Sequence, residues 1–245
     1  MELRLDRWPS VYDGFRLALV SDLHAGTPHV GVEQVERVAE LVDREGPDLV
    51  ALLGDYVDDE AAFAQAVRPA DVAAALARIR APLGRVAVLG NHDWLSGGEQ
   101  VRGALQDAGI TVLEDDALRL RSARVPLWVA GLADATERRP DVPSALAGVP
   151  EEAALIVLSH DPDLFPRVPR HAALTVSGHT HGGQVDLPVV RRHVIPSRFG
   201  DRYAAGHVEE DGRHLFVTRG VGTSWWPLRF RSPPEVVLLT LRPRS

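Results

Sequence analysis

In the stretch Gly178-His179-Thr180-His181-Gly182-Gly183-Gln184, two imidazoles stand one residue apart between glycines, directly after the apolar run Leu174-Thr175-Val176. In extended backbone, side chains two apart point the same way. His179 and His181 can therefore each offer a ring nitrogen to neighbouring positions, and the glycines let a ligand approach the main chain. A surface pair would look the same, so His-x-His by itself decides little. The chain also offers Asp22 and His24, Asp55, Asn91 with His92, and His160, each following an apolar run of strand length. Taken singly these have ordinary explanations: Asp and Asn after a strand are commonly turn or capping residues, and His160 before Asp161-Pro162 reads as a turn histidine. Taken jointly, those explanations would all have to hold at one end of one sheet. Asp, Asn and His without sulfur suit a pair of divalent first-row cations such as Mn²⁺, Fe²⁺ or Zn²⁺. Two such metals about 3.5–4 Å apart need one carboxylate that reaches both, and can hold a hydroxide between them aimed at phosphorus.

Elements must deliver these groups to one place. Phe15 to Ser21 is β-rich enough to be a buried strand and ends in Asp22-Leu23-His24. Val32 to Arg44 carries Val32, Val35, Val38, Ala39 and Val42 at helical spacing, and Gly46-Pro47 stops it. Asp48 to Leu53 is a strand with no polar face and ends at Gly54-Asp55, so a βαβ unit with a parallel strand pair is expected. The pattern repeats with a helix from Asp71 to Arg80, a strand from Val86 to Leu89 delivering Gly90-Asn91-His92-Asp93, a helix from Glu99 to Ala108, and a short strand from Ile110 to Leu113. Beyond this the texture turns to β. Pro126 to Gly131 precedes a polar loop, Ala154 to Leu158 ends in Ser159-His160, Leu174 to Val176 ends in Gly178-His179, and two further strands span 214–218 and 235–241. In open α/β sheets ligands bind outside the carboxyl ends of the strands, where the loops converge. Five apolar runs ending in metal-binding groups fit that rule.

Composition narrows the function classes. The 245 residues can bury a full core, and residues 1–245 are expected to form one domain. A net charge of −7 provides no basic field for a nucleic-acid backbone, so nucleic acid is not favoured as a partner. The chain has no cysteine, which excludes disulfides and thiolate metal sites. Its 27 basic residues are all Arg, which excludes a mechanism built on lysine. The segment Met1 to Trp8 has charges where a signal peptide needs an apolar core, and no later run approaches the roughly 18 apolar residues of a membrane span. A cytoplasmic protein without a transmembrane segment is the expectation. Oligomeric state is not legible.

Asp22-x-His24, Gly54-Asp55, Gly90-Asn91-His92-Asp93, Ser159-His160 and Gly178-His179-Thr180-His181 occur in the order and rough spacing of the calcineurin-like metallophosphoesterases, which the chain resembles from residue 22 to residue 181. Gly182-Gly183-Gln184, Arg219-Gly220-Val221-Gly222-Thr223 and Pro234-Glu235 are similar to the bacterial single-domain branch that includes phosphodiesterases and UDP-2,3-diacylglucosamine pyrophosphatases. The resemblance implies an α/β fold, a four-layer α/β/β/α sandwich of two mixed sheets flanked by helices. It implies that Asp22, His24 and His181 bind one divalent metal (Mn, Fe or Zn), that Asn91, His160 and His179 bind a second, and that Asp55 bridges. His92 matches the family's general acid, and Asp58 resembles the carboxylate that orients this histidine in some members. The expected activity is hydrolysis of a phosphodiester or a pyrophosphate link by a metal-bridging hydroxide. Its substrate would be a small-molecule phosphate ester, with nucleotide and lipid-linked esters as candidates. A phosphomonoesterase and a non-catalytic binding scaffold of the same fold are the alternatives. In phosphoprotein phosphatases an Arg that grips phosphate follows the position of Asp58; here Asp59 stands there, and a second carboxylate repels a dianionic monoester more than a singly charged diester.

Outside these motifs, Trp94, Trp225 and Trp226 are read as core or interface packing in preference to a shelf for a base, sugar or acyl chain. Arg198, Arg202 and Arg219 are candidate phosphate clamps. His29, His171, His193, His207 and His214 lack a motif and are treated as structural or exposed. The loops 56–69, 134–150 and 188–203 are expected to be irregular and to hold specificity.

Overall fold

A strand without a polar face must be covered on both sides, and the apolar runs of this chain are. The computed structural model describes residues 1–59, 64–120, 125–187, 195–224 and 226–244, so His193 and Trp225 lie outside the described residues. It is an α/β sandwich of two mixed sheets of six strands each, flanked by helices. In chain order the elements are β1 (Glu2–Leu5), β2 (Phe15–Val20), α1 (Val32–Arg44), β3 (Leu49–Leu52), α2 (Pro69–Ala77), β4 (Arg85–Ala87), α3 (Asn91–Leu95), α4 (Gly98–Asp107), β5 (Thr111–Val112) and β6 (Asp116–Leu120). These are followed by β7 (Leu127–Gly131), α5 (Val142–Leu146), β8 (Ala154–Leu158), β9 (Leu174–Ser177), β10 (Gly206–Glu210), β11 (Arg213–Val217) and β12 (Val237–Pro243).

The first sheet runs β1-β12-β2-β3-β4-β5, parallel from β2 to β5 with β12 antiparallel to β2. The second runs β10-β11-β9-β8-β7-β6, with a parallel centre and an antiparallel strand at each edge. Alternation along each central strand explains why both faces are apolar. Leu17 and Leu19 of β2 and Leu49 and Ala51 of β3 meet Val129, Ile156, Leu174 and Val176 from the other sheet. Ala18, Val20, Val50 and Leu52 turn outward onto Val35 and Ala39 of α1, Val72 and Leu76 of α2, and Val101 and Leu105 of α4. On the far side, Leu155 and Val157 of β8 pack on Val142 and Ala145 of α5. Helices on both outer faces leave the carboxyl ends of β2, β3, β4, β8 and β9 open at one edge of the sandwich.

Several elements differ from the sequence reading. Helix α2 begins at Pro69 and ends at Ala77, not 71–80, because proline's missing N–H is harmless in the first helical turn. The 134–150 loop is not wholly irregular: Asp141 accepts a hydrogen bond from Ser144 N (3.1 Å) and caps α5. The charged start of the chain is a strand, since Leu3 and Leu5 alternate inward between exposed Glu2 and Arg4 and β1 adds parallel to β12. Strands β6 and β10 and helix α3 were also not anticipated. The two edge strands are short, half-buried and polar, which hides their periodicity. Among the described residues no helix is long and apolar enough to cross a membrane.

Leu19 sits fully buried at the centre of the layer between the sheets. Leu19→Ala is expected to lower the unfolding free energy by about 2–5 kcal/mol, measured by urea titration; a loss under about 1 kcal/mol would mean the two sheets do not share a close-packed core.

Candidate metal centre

Asp22 and His24, Asp55, Asn91 and His92, His160, and His179 and His181 leave the sandwich at the same edge, beyond the carboxyl ends of β2, β3, β4, β8 and β9, and Asp58 returns to it. Main-chain hydrogen bonds splice the loops together: Asp22 N donates to Gly54 O (3.0 Å), His24 N to Asp55 O (2.9 Å) and Gly178 N to His160 O (3.1 Å). Across the two sheets, His179 N donates to Asp22 Oδ1 (3.0 Å). Asp93 gathers the loop after β3, accepting from Asp55 N (2.7 Å), Tyr56 N (2.8 Å) and Gly90 N (2.9 Å). Asp22, His24, Asp55, His179 and His181 all adopt positive φ, between 46° and 69°, a region where Asp, Asn and His are the most tolerated non-glycine residues. Glycine is required where the loops touch: a Cβ on Gly90 would collide with the Asp55 carboxylate and the His160 ring.

Two groups of buried donor atoms result. Asp22, His24 and His181 form one, and Asp55, His160 and His179 the other; within each, the donor atoms lie within 4.8 Å of one another. His24 Nε2 faces His181 Nε2 at 3.1 Å, and His160 Nε2 faces His179 Nδ1 at 3.1 Å. The Asp55 Oδ2 atom stands between the groups, 3.5 Å from His24 Nε2 and 3.2 Å from His160 Nε2. Outer hydrogen bonds set the tautomers. His160 Nδ1 is 2.7 Å from Leu53 O and His24 Nδ1 is 3.0 Å from Asp58 Oδ2, so each Nδ1 carries the proton and each Nε2 turns a lone pair inward. Facing lone pairs repel unless a cation lies between them, and Asn91 Oδ1 is buried without a hydrogen-bond partner. Nitrogen and oxygen donors of this kind fit a binuclear divalent metal centre.

Burial opposes ionisation of Asp55, but the His160 charge outweighs it and holds the carboxyl well below the usual range; burial also lowers His160, but Asp55 raises it further, so a proton and a metal cation are alternatives for the same His160 Nε2 lone pair. Desolvation pushes His179 down to about 4 and His181 well below its ordinary value, so both rings are neutral, as metal binding requires. Burial and the nearby Asp55 push Asp93 up to about 7, against the pull of its N–H donors.

His92 lies 3.1 Å through Nδ1 from the same Asp58 Oδ2 that contacts His24, so one carboxylate oxygen links an inner histidine to the exposed-side histidine. Burial opposes a charge on His92, but the hydrogen bond to Asp58 and the charges of Asp55 and Asp58 raise it to about 9. Asp58 itself stays ionised in spite of burial because both histidines bond to it.

Other expectations fare differently. Arg198, Arg202 and Arg219 are each turned to a carboxylate, those of Asp163 (3.2 Å), Glu210 (2.6 Å) and Glu235 (2.8 Å), and do not converge on the centre. The arginine that reaches it is Arg229, with Nη2 3.1 Å from His181 Nδ1 and bonds to Arg219 O (2.8 Å) and Gly222 O (2.5 Å). Those two carbonyls take both protons of that nitrogen, so its contact with His181 is packing and the group braces the 219–222 loop. Among 27 arginines nothing in the sequence marks it. Asp93 was quoted within a motif without a role; its position three residues past Gly90 was the available signal. Trp94 packs on the outer core and lies under the guanidiniums of Arg102 and Arg138, 5.4 and 4.4 Å from the ring centroid. Trp226 is 71% exposed.

A sandwich of this topology with paired histidine and carboxylate clusters at the strand ends defines a metal-dependent phosphoesterase. The chain belongs to the calcineurin-like phosphoesterase family, whose sequence pattern matches residues 15–183. It is 31% identical to the Bacillus subtilis uncharacterized metallophosphoesterase YkuE over 239 residues, 96% of this chain and 81% of that one. It is 34% identical to the Escherichia coli phosphodiesterase YaeI over 236 residues, 93% of this chain and 82% of that one. The fold is shared with the Haemophilus influenzae NAD nucleotidase (TM-score 0.51, 15% identity, 91% of this chain and 48% of that chain). It is also shared with a Thermus thermophilus 5'-nucleotidase precursor (TM-score 0.51, 15% identity, 92% of this chain and 54% of that chain). The chain thus spans about half the length of both.

Two outcomes test the centre. Stripping divalent cations with a chelator should lower the unfolding temperature, and returning them should restore it; a melting curve indifferent to cations would count against the clusters as metal sites. Gly90→Ala should fold yet retain much less metal by elemental analysis, because the new methyl displaces Asp55.

Proposed function

We propose that the protein is a binuclear metal-dependent phosphodiesterase acting on small-molecule phosphate esters or pyrophosphate links. Asp22, His24 and His181 would hold one cation and Asn91, His160 and His179 the other, with Asp55 between them. The observation that carries this reading is the Asp55 carboxylate standing within 3.5 Å of an imidazole from each cluster. When bound, the two cations supply positive charge for the phosphoryl oxygens and lower the pKa of water.

The chain's own residues do the rest. Asp58 holds the Nδ1 proton of His92, which leaves Nε2 as the nitrogen that donates. As water's oxygen bonds to phosphorus and the ester bond breaks, His92 gives its Nε2 proton to the departing oxygen and the proton that water loses restores it through solvent, yielding an alcohol and a phosphomonoester. Asp58 keeps the resulting imidazole aligned for reprotonation. Its shared contact with His24 couples the acid's orientation to that of a metal ligand.

Charge favours a diester over a monoester. A dianion needs basic groups beyond the metals, and Arg198, Arg202 and Arg219 are already matched by carboxylates. Arg229 spends its donors on carbonyls, and Asp59 adds a negative charge one residue beyond Asp58. The likeness to the E. coli phosphodiesterase supports the same choice.

Metal-loaded protein should hydrolyse bis-p-nitrophenyl phosphate faster than p-nitrophenyl phosphate; the reverse order would replace this reading by a monoesterase. Asp55→Asn should lose metal and activity together. His92→Asn should keep both metals and lose most with poor leaving groups, about 10²–10⁴-fold, and least with p-nitrophenolate. Because His92 is raised to about 9, its acid form persists through neutral pH and is lost above it. The rate with an alkoxide leaving group should therefore fall on the alkaline side in the wild type, and His92→Asn should lack that limb.

A further inference from the structure

Beside His181, a cavity of about 450 Å³ opens between Gly183, Gln184 and Val185, Pro196, and the residues Ser224, Trp226 and Leu228. That volume lies within the roughly 300–1,000 Å³ of sites for small organic ligands. One of its walls is His181, so a group filling it lies next to the metal centre. Its lining is chiefly apolar, through Val185, Pro196, Trp226 and Leu228.

Among the described residues, the Gln184 amide and the Thr180 hydroxyl at the cavity are already engaged. The Gln184 amide clamps the opposite wall, donating to Ser224 O (3.1 Å) and Trp226 O (2.9 Å) and accepting from Ser224 N (3.0 Å). Thr180 Oγ1 donates to Ala204 O (2.6 Å). With those two groups taken, a nucleobase or sugar entering here would bury most of its donors and acceptors against apolar side chains, at a penalty that an alkyl chain avoids.

The apolar surface continues outward from the cavity. Of the eight large apolar side chains exposed among the described residues, Leu187, Trp226, Leu228 and Phe230 belong to this one patch. The pairing of Val185 with Phe230 joins the two segments that carry them, through Phe230 N to Gln184 O (2.9 Å) and Asp186 N to Phe230 O (2.8 Å). Trp226, Leu228 and Phe230 are exposed and alternate with the half-buried Pro227 and Arg229. Clusters of exposed apolar side chains of this kind mark binding sites. The result is an apolar track that starts at a metal-site histidine and runs into solvent.

Building on the phosphodiesterase reading, we infer that this track binds a linear alkyl or acyl chain carried by the ester, so that the substrate class is a phosphodiester with a long apolar substituent.

The test is a series of p-nitrophenyl alkyl phosphates, methyl to octyl, with a constant leaving group, assayed with metal-loaded protein below micelle-forming concentrations. The expected result is a rise in kcat/KM of about two- to fourfold per methylene until the cavity is filled. In the Trp226→Ser, Leu228→Ser double variant that slope should fall by at least half, with unchanged metal content. A flat series in the wild type, or a slope that survives in the double variant, overturns the inference while leaving the diesterase reading intact. A flat series with sedimentation that shifts in the double variant would assign the patch instead to contacts between copies of the chain. If no ester in the series is hydrolysed, the diesterase reading fails. Calorimetry then decides the cavity separately: octyl phosphate must bind at least tenfold more tightly than methyl phosphate, and in the wild type only.

Discussion

Four carboxylates and three histidines, Asp22, Asp55, Asp58, Asp93, His24, His160 and His181, lie almost wholly out of water within one small volume, and this crowding is the constraint on which the molecule rests. Isolated buried charges cost far more than a marginally stable protein tolerates. They persist here because each is tied to another: Asp55 to His160, Asp58 to both His24 and His92, and Asp93 to main-chain N–H groups. The Asp55 oxygen between the clusters is the point at which the two halves meet. Displacing it would remove the one carboxylate oxygen that contacts an imidazole of each cluster.

The fold serves this crowding. Each sheet is close-packed on both faces, so the strand ends hold position while the loops beyond them take unfavourable conformations. Five of the proposed ligands have left-handed backbone, at a cost of order 1 kcal/mol or more each where the residue is not glycine. The splicing hydrogen bonds from Asp22 to Gly54, His24 to Asp55 and His179 to Asp22 offset that strain and fix the loops relative to each other. Asp and His are suited twice over: they bind cations, and they tolerate this backbone better than branched residues.

The surroundings of the centre are unlike on different sides. Around Asp58 and His92 the groups are charged and hydrogen-bonded, which suits proton delivery to a leaving oxygen. Around His181 the wall is apolar, and Gln184 spends its amide on architecture. Arg229 braces the neighbouring loop from beneath, with burial pulling its guanidinium down to about 10. The centre thus has charged, hydrogen-bonded groups on one side and an apolar wall on another.

The sequence by itself determined much of this. The apolar runs at 15–21, 48–53, 86–89, 154–158 and 174–176 correspond to β2, β3, β4, β8 and β9, and Asp22, His24, Asp55, His160, His179 and His181 beyond them cluster at one edge, because a strand with two apolar faces can only be central and its carboxyl end then lies at the open edge. Helix α1 matches its expected span residue for residue, since its capping and its stop at Gly46-Pro47 are local. Edge strands β6 and β10 were invisible because half-buried polar strands have no strong period. Only the tertiary structure decided that Asp58 touches His24 as well as His92, that Arg229 rather than Arg198, Arg202 or Arg219 reaches the centre, and that the residues around Trp226 wall a cavity beside His181. Each of those contacts joins positions far apart in the chain, where one arginine or tryptophan is locally the same as another until the loops that carry it are placed.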